Sequence, residues 1–296
     1  MAFPKPFHIL DVFAEQRYAG NQLAVILDAG DLSTDEMQQI ALEMNYSETT
    51  FVLSPLLRDG GYDVRIFTPR TEVPFAGHPT LGTAYVIWDR FLRRGTDQVA
   101  LNLRVGQIPV TVTAQGTGAP VLWMRQKPPQ MGAMCPPELV ARAVGLEPAD
   151  LDDHFPAQEV STGLPFVIAP LRRLDALRRS QPDLNGFQAL VDQGFAGAVL
   201  LFCPETYDPA NRLSVRVYAV EYGVTEDPAT GSANGCLAAY LVAHRYFGED
   251  AIDIRVEQGI DMGRPSALYL RARAGAPAIE VHVGGRVIPV AEGALL

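Results

Sequence analysis

Two short stretches place a glycine and a polar residue directly ahead of a run of small and apolar residues. One is Pro74-Phe75-Ala76-Gly77-His78-Pro79, followed by Thr80 to Leu92 (TLGTAYVIWDRFL). The other is Asp227-Pro228-Ala229-Thr230-Gly231-Ser232, followed by Asn234 to Phe247 (NGCLAAYLVAHRYF). If the runs are helices, the first four N–H groups of each lack a partner inside the helix. The aligned peptide dipoles add roughly +0.5 charge at that end. A glycine there lets a ligand approach the backbone closely. Gly77-His78 and Gly231-Ser232 are therefore candidate cradles for a carboxylate or enolate oxygen.

A proton mover has its candidate in Glu48, within Tyr46-Ser47-Glu48-Thr49-Thr50 at the entry of an otherwise apolar strand. Partial desolvation raises a carboxylate's proton affinity towards what a general base or acid needs. His78 is a candidate shuttle, and a helix-start position disfavours its protonated form. Asp227 is a candidate hydrogen-bonding acid. Structural readings stay open beside these: glycines that only turn the chain into packed helices, Glu48 as an exposed strand-end acid, Asp227 as a turn or cap residue. His8, His154, His244 and His282 are isolated and carry no such expectation.

The positioning elements follow from periodicity. Phe7 to Val12 and Leu23 to Leu27 are apolar strands joined by a turn at Tyr18-Ala19-Gly20-Asn21. Ser33 with Asp35 and Glu36 reads as a helix start, continued by Met37, Ile40, Ala41 and Met44. Ser47 to Leu53 and Tyr62 to Phe67 read as strands. The two runs after the glycines are apolar nearly all round, which predicts helices surrounded by other elements. Strands are expected at 98–103, 107–113 and 121–125, a Pro-rich linker at 128–137, then a second series of strands and helices up to 290.

Val64-Arg65-Ile66-Phe67 echoes Val215-Arg216-Val217-Tyr218. In each half a loop, a P-x-x-G and an apolar helix follow, with the second loop three residues longer. The order predicts a duplicated fold. If the halves pack face to face about a pseudo-twofold axis, both cradles open onto one cleft that also receives Glu48.

A chain of 296 residues with 48% apolar and 20% charged residues suits two globular lobes. The net charge of −10 argues against nucleic acid or an anionic membrane as partner. No run of 18 apolar residues predicts a membrane span, and MAFPKPFHILDVFAEQ lacks the apolar segment of a signal peptide. Cys135, Cys203 and Cys236 are odd in number and widely spaced, as reduced thiols of a cytoplasmic protein would be. Phosphate-loop, G-x-S-x-G, H-E-x-x-H and zinc-type Cys/His patterns are absent from the sequence, and no metal is expected.

Several motifs occur in order: Gly20-Asn21-Gln22-Leu23-Ala24-Val25, Glu43-Met44-Asn45-Tyr46-Ser47-Glu48-Thr49-Thr50-Phe51-Val52, Phe67-Thr68-Pro69, Pro74 to Pro79, Glu226 to Ala233, Gln258-Gly259 and Gly263-Arg264-Pro265-Ser266. With these the chain resembles the PhzF-like phenazine-biosynthesis family over nearly its whole length. The resemblance implies an α+β, diaminopimelate-epimerase-like fold. Such a fold has two pseudo-symmetric lobes, each a mixed, mostly antiparallel sheet rolled around one central helix. The expected lobes are 1–125, joined by a returning C-terminal strand at 286–296, and 130–285.

The resemblance further implies a cofactor-independent isomerase of the trans-2,3-dihydro-3-hydroxyanthranilate isomerase type, acting on a small carboxylated substrate and forming a homodimer. It implies Glu48, His78 and Asp227 as catalytic residues, and Asn21, Ser47, Gly77, Gly231 and Ser232 as substrate-binding ones. Founding enzymes of this fold racemise with two cysteines at the helix starts, and here those loops hold no thiol. Two rivals stay open: a catalytically silent binding protein, and an amino-acid epimerase using Glu48 and Asp227 as opposed bases.

Overall fold

The computed structural model describes residues 4–113 and 119–296. The portions of the expected N-terminal lobe at 1–3 and 114–118 lie outside the described residues. The chain divides into two compact units, Met1–Met124 with Gly284–Leu296, and Arg125–Val283.

The first unit opens with β1 (Lys5–Val12) and β2 (Asn21–Ile26), followed by α1 (Thr34–Met44). Ser33 starts α1 through a capping box. Its Oγ accepts from Glu36 N at 3.2 Å, and its own N–H donates to Glu36 Oε2 at 2.7 Å. Asn45 ends the helix in the left-handed region at φ 54, which turns the chain through Tyr46 to Glu48 into β3 (Thr49–Val52). β4 (Tyr62–Phe67) and β5 (Glu72–Val73) lead into α2 (Gly77–Arg90), and β6 (Gln98–Leu103), β7 (Gly106–Thr113) and β8 (Val121–Arg125) follow. Met37 and Ala41 of α1 pack with Ile26, Phe51 and Phe67. The two phenylalanine rings meet edge to face at 5.3 Å.

The second unit holds β9 (Gln130–Met134), α3 (Pro137–Ala143), β10 (Gln158–Ser161), β11 (Pro165–Pro170), α4 (Leu174–Arg179), α5 (Leu184–Asp192), β12 (Val199–Cys203), β13 (Leu213–Ala219), β14 (Val224–Asp227), α6 (Gly231–Ala243), β15 (Ala251–Gln258), β16 (Ser266–Arg273) and β17 (Glu280–Gly285). The last strand, β18 (Val287–Leu295), pairs antiparallel with β1 of the first unit.

The two units repeat one pairing scheme. In the first, β1–β2 is antiparallel, β2–β3 parallel, β3–β4 and β4–β5 antiparallel, β4–β6 parallel and β6–β7 antiparallel. In the second, β10–β11, β11–β12, β12–β13, β13–β14, β13–β15 and β15–β16 run in the same senses in the same order. The last strand stands beside β1 where β9 stands beside β10.

Each sheet wraps one helix. α2 contacts β1, β2, β3 and β6, and α6 contacts β10, β11, β12, β15 and β16. Residues His78 to Ile87 of α2 are buried without interruption, as are Ala233 to Val242 of α6. Fully burying each large side chain contributes about 1.5–3 kcal/mol. Gly82 lets α2 sit this close, because a Cβ there would stand 2.4 Å from Leu23 Cδ2. The expected α+β architecture is therefore present in each unit. Among the described residues, no helix is long and apolar enough to cross a membrane.

Three local expectations need correction. α2 begins at Gly77 and α6 at Gly231 rather than at 80 and 234. Pro79 fits the first turn, where a missing N–H costs nothing. The Pro-rich segment 128–137 contains β9, whose five residues are all exposed; with no buried face they carry no alternation, and pairing with β10 makes the strand. β14 falls where a loop was expected, held by its pairing to β13.

Candidate active site

α2 and α6 start without help from their own cap residues. Among the helices longer than eight residues, α1 has its capping box, and Asp183 caps α5 by accepting from Asn185 N. The cap positions Ala76 of α2 and Thr230 of α6 form no side-chain cap bond. The first intrahelical bonds come from Thr80 N to Ala76 O at 3.3 Å and from Asn234 N to Thr230 O at 3.0 Å. Inside α2 the N–H groups of Gly77 and His78 have no partner, and Pro79 has none to offer; inside α6 those of Gly231, Ser232 and Ala233 have none. Side chains at the matching fourth positions brace both starts from within. Thr80 Oγ1 donates to Ala76 O at 2.7 Å, and Asn234 Nδ2 donates to Thr230 O at 3.0 Å.

In the first unit, Glu48 stands one residue before β3, and its Oε2 approaches His78 Nε2 to 3.5 Å. The same ring nitrogen lies 3.3 Å from Gln22 O. Burial pushes the His78 pKa down from 6.5 to about 3, against a smaller opposing effect of the Gln22 carbonyl. Burial, not the helix-start position invoked from the sequence, keeps the ring neutral near pH 7, and the contact with Glu48 is not an ion pair. A carbonyl and a carboxylate both accept, so the neutral ring carries its proton on Nε2. The Nε2–H donates to Gln22 O, and Glu48 Oε2 stands beside it at 3.5 Å without a hydrogen bond to the ring.

A buried hydroxyl pair ties the segments that carry these two residues. Thr50 of β3 and Thr83 of α2 share a hydrogen bond at 2.8 Å. Asn21 is buried at the start of β2, next to the Gln22 carbonyl that His78 contacts. Gly77 is half-buried, whereas Ser47 is exposed beside Glu48.

In the second unit, Asp227 Oδ2 accepts from Thr230 Oγ1 at 2.5 Å. Gln258, 1% exposed, organises the rest. Its Nε2 donates to Asp227 O at 2.7 Å and to Thr230 Oγ1 at 3.1 Å. Its Oε1 accepts from Thr230 N at 3.2 Å and from Asn234 Nδ2 at 2.9 Å. Gly259 follows at φ +74, and a Cβ there would meet Pro228 O at 2.5 Å. Only glycine lets this turn close against the Asp227–Thr230 loop. Ser232 is half-buried on the first turn of α6.

Within each unit, then, the expected residues gather at the start of the central helix: Glu48, Gly77 and His78 in one, Asp227, Gly231 and Ser232 in the other. Gln258 and Asn234 were not singled out as site residues. The signal for Gln258 was its place in the Gln258-Gly259 motif, with nothing local to show which loop it holds. The three cysteines are free and buried, and burial pushes Cys135 and Cys203 up to about 12 and Cys236 up to about 11. None is poised as a thiolate.

A duplicated sheet-wrapped helix with an open first turn defines the diaminopimelate-epimerase-like class. A family model described as phenazine biosynthesis-like protein matches residues 10–293. The chain is 37% identical to trans-2,3-dihydro-3-hydroxyanthranilate isomerase of Pseudomonas aeruginosa over 96% of its own length and 97% of that protein. It superposes on the crystal structure of the Bacillus anthracis phenazine biosynthesis protein of the PhzF family with a TM-score of 0.90 at 28% identity, covering 99% of both chains. A probable proline racemase from Agrobacterium radiobacter shares the fold at a TM-score of 0.63 and 11% identity, over 99% of this chain and 93% of that one. The chain belongs to the PhzF family of phenazine biosynthesis-like isomerases.

Proposed function

We propose that this isomerase moves a proton between carbon atoms of a small carboxylated metabolite, with trans-2,3-dihydro-3-hydroxyanthranilate or a near analogue as substrate. The reading is carried by the Glu48 carboxylate held 3.5 Å from a neutral, N–H-bearing His78 at the open start of α2. Glu48 takes the proton from one carbon as the C–H bond breaks. It returns that proton to another carbon of the same molecule, so nothing is gained or lost overall. Neutral His78 stands beside the carboxylate. The first-turn N–H groups of each central helix, with the Ser232 hydroxyl at the start of α6, suit a carboxylate and the negative charge that develops when the proton leaves, whereas Asp227, an acceptor, suits a hydroxyl or amino group of the substrate. Asn21 and Ser47 contribute further contacts to the bound molecule. The absence of a thiol from both helix starts leaves the carboxylate as the proton carrier.

The protein acts in the cytoplasm without a nucleic-acid partner, which three buried free thiols and the net charge of −10 support, and the family resemblance points to a homodimer. Sedimentation at several concentrations tests the dimer. The activity is tested by incubating the protein with trans-2,3-dihydro-3-hydroxyanthranilate in D2O and following ring protons by NMR. Isomerisation, with deuterium entering carbon where the carried proton equilibrates with solvent, is expected. An unchanged substrate, together with no exchange in a panel of cyclic amino and hydroxy acids, would overturn the reading.

A further inference from the structure

Arg65 and Arg216 occupy matching places in the echoed segments, on β4 and β13. Arg65 donates from Nε to Glu72 Oε1 and from Nη2 to Glu72 Oε2, both at 2.8 Å. Arg216 donates from Nε to Glu226 Oε1 and from Nη2 to Glu226 Oε2, again both at 2.8 Å. Each guanidinium also lies over the aromatic ring two residues on, Phe67 at 5.0 Å and Tyr218 at 5.3 Å.

The two glutamates share a second relationship. Glu72 stands five residues before Gly77, and Glu226 five before Gly231. The spacing from arginine to glutamate differs, seven residues in one unit and ten in the other. The extra length is absorbed ahead of the glutamate, while the stretch from glutamate to helix start keeps its length. What the repeat preserves is therefore the length of chain from the anchored glutamate to the first helical residue.

Each arginine also grips a third element. Arg65 Nη2 donates to Thr34 Oγ1 at the start of α1, at 3.0 Å. Arg216 Nη1 donates to the carbonyls of Leu177, Arg178 and Ser180 around the end of α4, at 3.0, 3.2 and 2.9 Å. The arginine side chains are 24% and 11% exposed, the glutamates 14% and 17%. Such partly buried pairs give little net stability, because desolvation offsets the attraction. A two-pronged fork does fix both the position and the angle of the carboxylate, which a lysine cannot do.

We propose that Arg65–Glu72 and Arg216–Glu226 are positioning pairs, each fixing the loop that aims the free N–H groups of its helix start at the substrate. The proposal rests on the functional reading above for what those N–H groups bind. It stands apart from that reading in what sets their place.

Hydrogen exchange by mass spectrometry on the full-length protein tests the pairs without substrate. In Arg65→Lys, amide exchange in 73–80 should rise about tenfold while 227–234 keeps its rate. In Arg216→Lys the pattern should reverse. With trans-2,3-dihydro-3-hydroxyanthranilate, Arg216→Lys should raise KM about tenfold and change kcat less than about threefold. Glu226→Gln should match it, since it also breaks the fork. Lysine variants with wild-type exchange in both segments would overturn the proposal. So would faster exchange spread over the whole chain with a fallen Tm, which marks a purely structural pair. If the wild type leaves this substrate unchanged, the functional reading falls, and the exchange comparison still decides the pairs.

Discussion

Glu48 Oε2 and His78 Nε2 meet at 3.5 Å, with the imidazole kept neutral by burial and the same nitrogen 3.3 Å from Gln22 O. In the proposed reaction Glu48 carries the proton, with neutral His78 beside it, its Nε2 hydrogen-bonded to Gln22 O.

Glu48→Gln removes the proton carrier and keeps the shape. General acid–base assistance is worth about 10² to 10⁴ in rate, so kcat should fall by that factor. Binding of 3-hydroxyanthranilate, an unreactive aromatic analogue with the same carboxylate, amino and hydroxyl groups, should change less than about threefold by calorimetry, because the first-turn N–H groups remain. Wild-type isotope exchange in this variant would remove Glu48 from the mechanism.

Buried, neutral His78 also makes stability depend on pH. Its folded pKa is depressed from 6.5 to about 3. Between those values the unfolded chain binds a proton that the folded protein refuses. Stability is therefore complete above pH 6.5 and is lost as pH falls through the window, by up to about 1.4 kcal/mol per pH unit from this residue. Urea midpoints measured from pH 7 to pH 4 should show a shallower acid loss in His78→Gln than in the wild type. Equal slopes would mean that His78 does not carry the proton difference.

The start of α6 depends on one amide. Gln258 makes four hydrogen bonds there, to Asp227 O, Thr230 Oγ1, Thr230 N and Asn234 Nδ2. Gln258→Leu keeps the bulk and strands these groups. Loss of about 2–4 kcal/mol is expected in urea unfolding, since unsatisfied buried groups cost about 1–3 kcal/mol each and some relax towards water. A loss below about 0.5 kcal/mol would show that the loop holds itself.

The candidate site residues were legible because their signals are local. A glycine ahead of an all-apolar run marks a buried helix with an open first turn, and that held for both Gly77 and Gly231. The echo of Val64-Arg65-Ile66-Phe67 in Val215-Arg216-Val217-Tyr218 pointed to duplication, and the pairing order of the strands repeats unit by unit. What stayed hidden is non-local or lacks a pattern. Gln258 acts on a loop 28 residues upstream, at Thr230. Nothing in the sequence ties Glu72 or Glu226 to an arginine until strand pairing brings each beside its partner. β9, the sequence Gln-Met-Gly-Ala-Met, has no buried face and exists through its neighbour.

Thr50 and Thr83 tie β3 to α2 beside the candidate site. Their hydroxyls meet at 2.8 Å in a fully buried place, two residues after Glu48 and five after His78. The pair ties the strand that follows Glu48 to the helix that carries His78. Thr83→Val leaves the Thr50 hydroxyl with Ala24 O as its remaining partner, at 3.5 Å, and should cost about 1–3 kcal/mol. Thr50→Val/Thr83→Val removes both polar groups in matched shape, so the double variant should be more stable than the sum of the singles by about 1 kcal/mol or more. Its kcat should stay below wild type even where stability returns, since apolar contact holds the two segments together without fixing their register. Stability and kcat recovering together in the double variant would show that packing alone aligns Glu48 with His78.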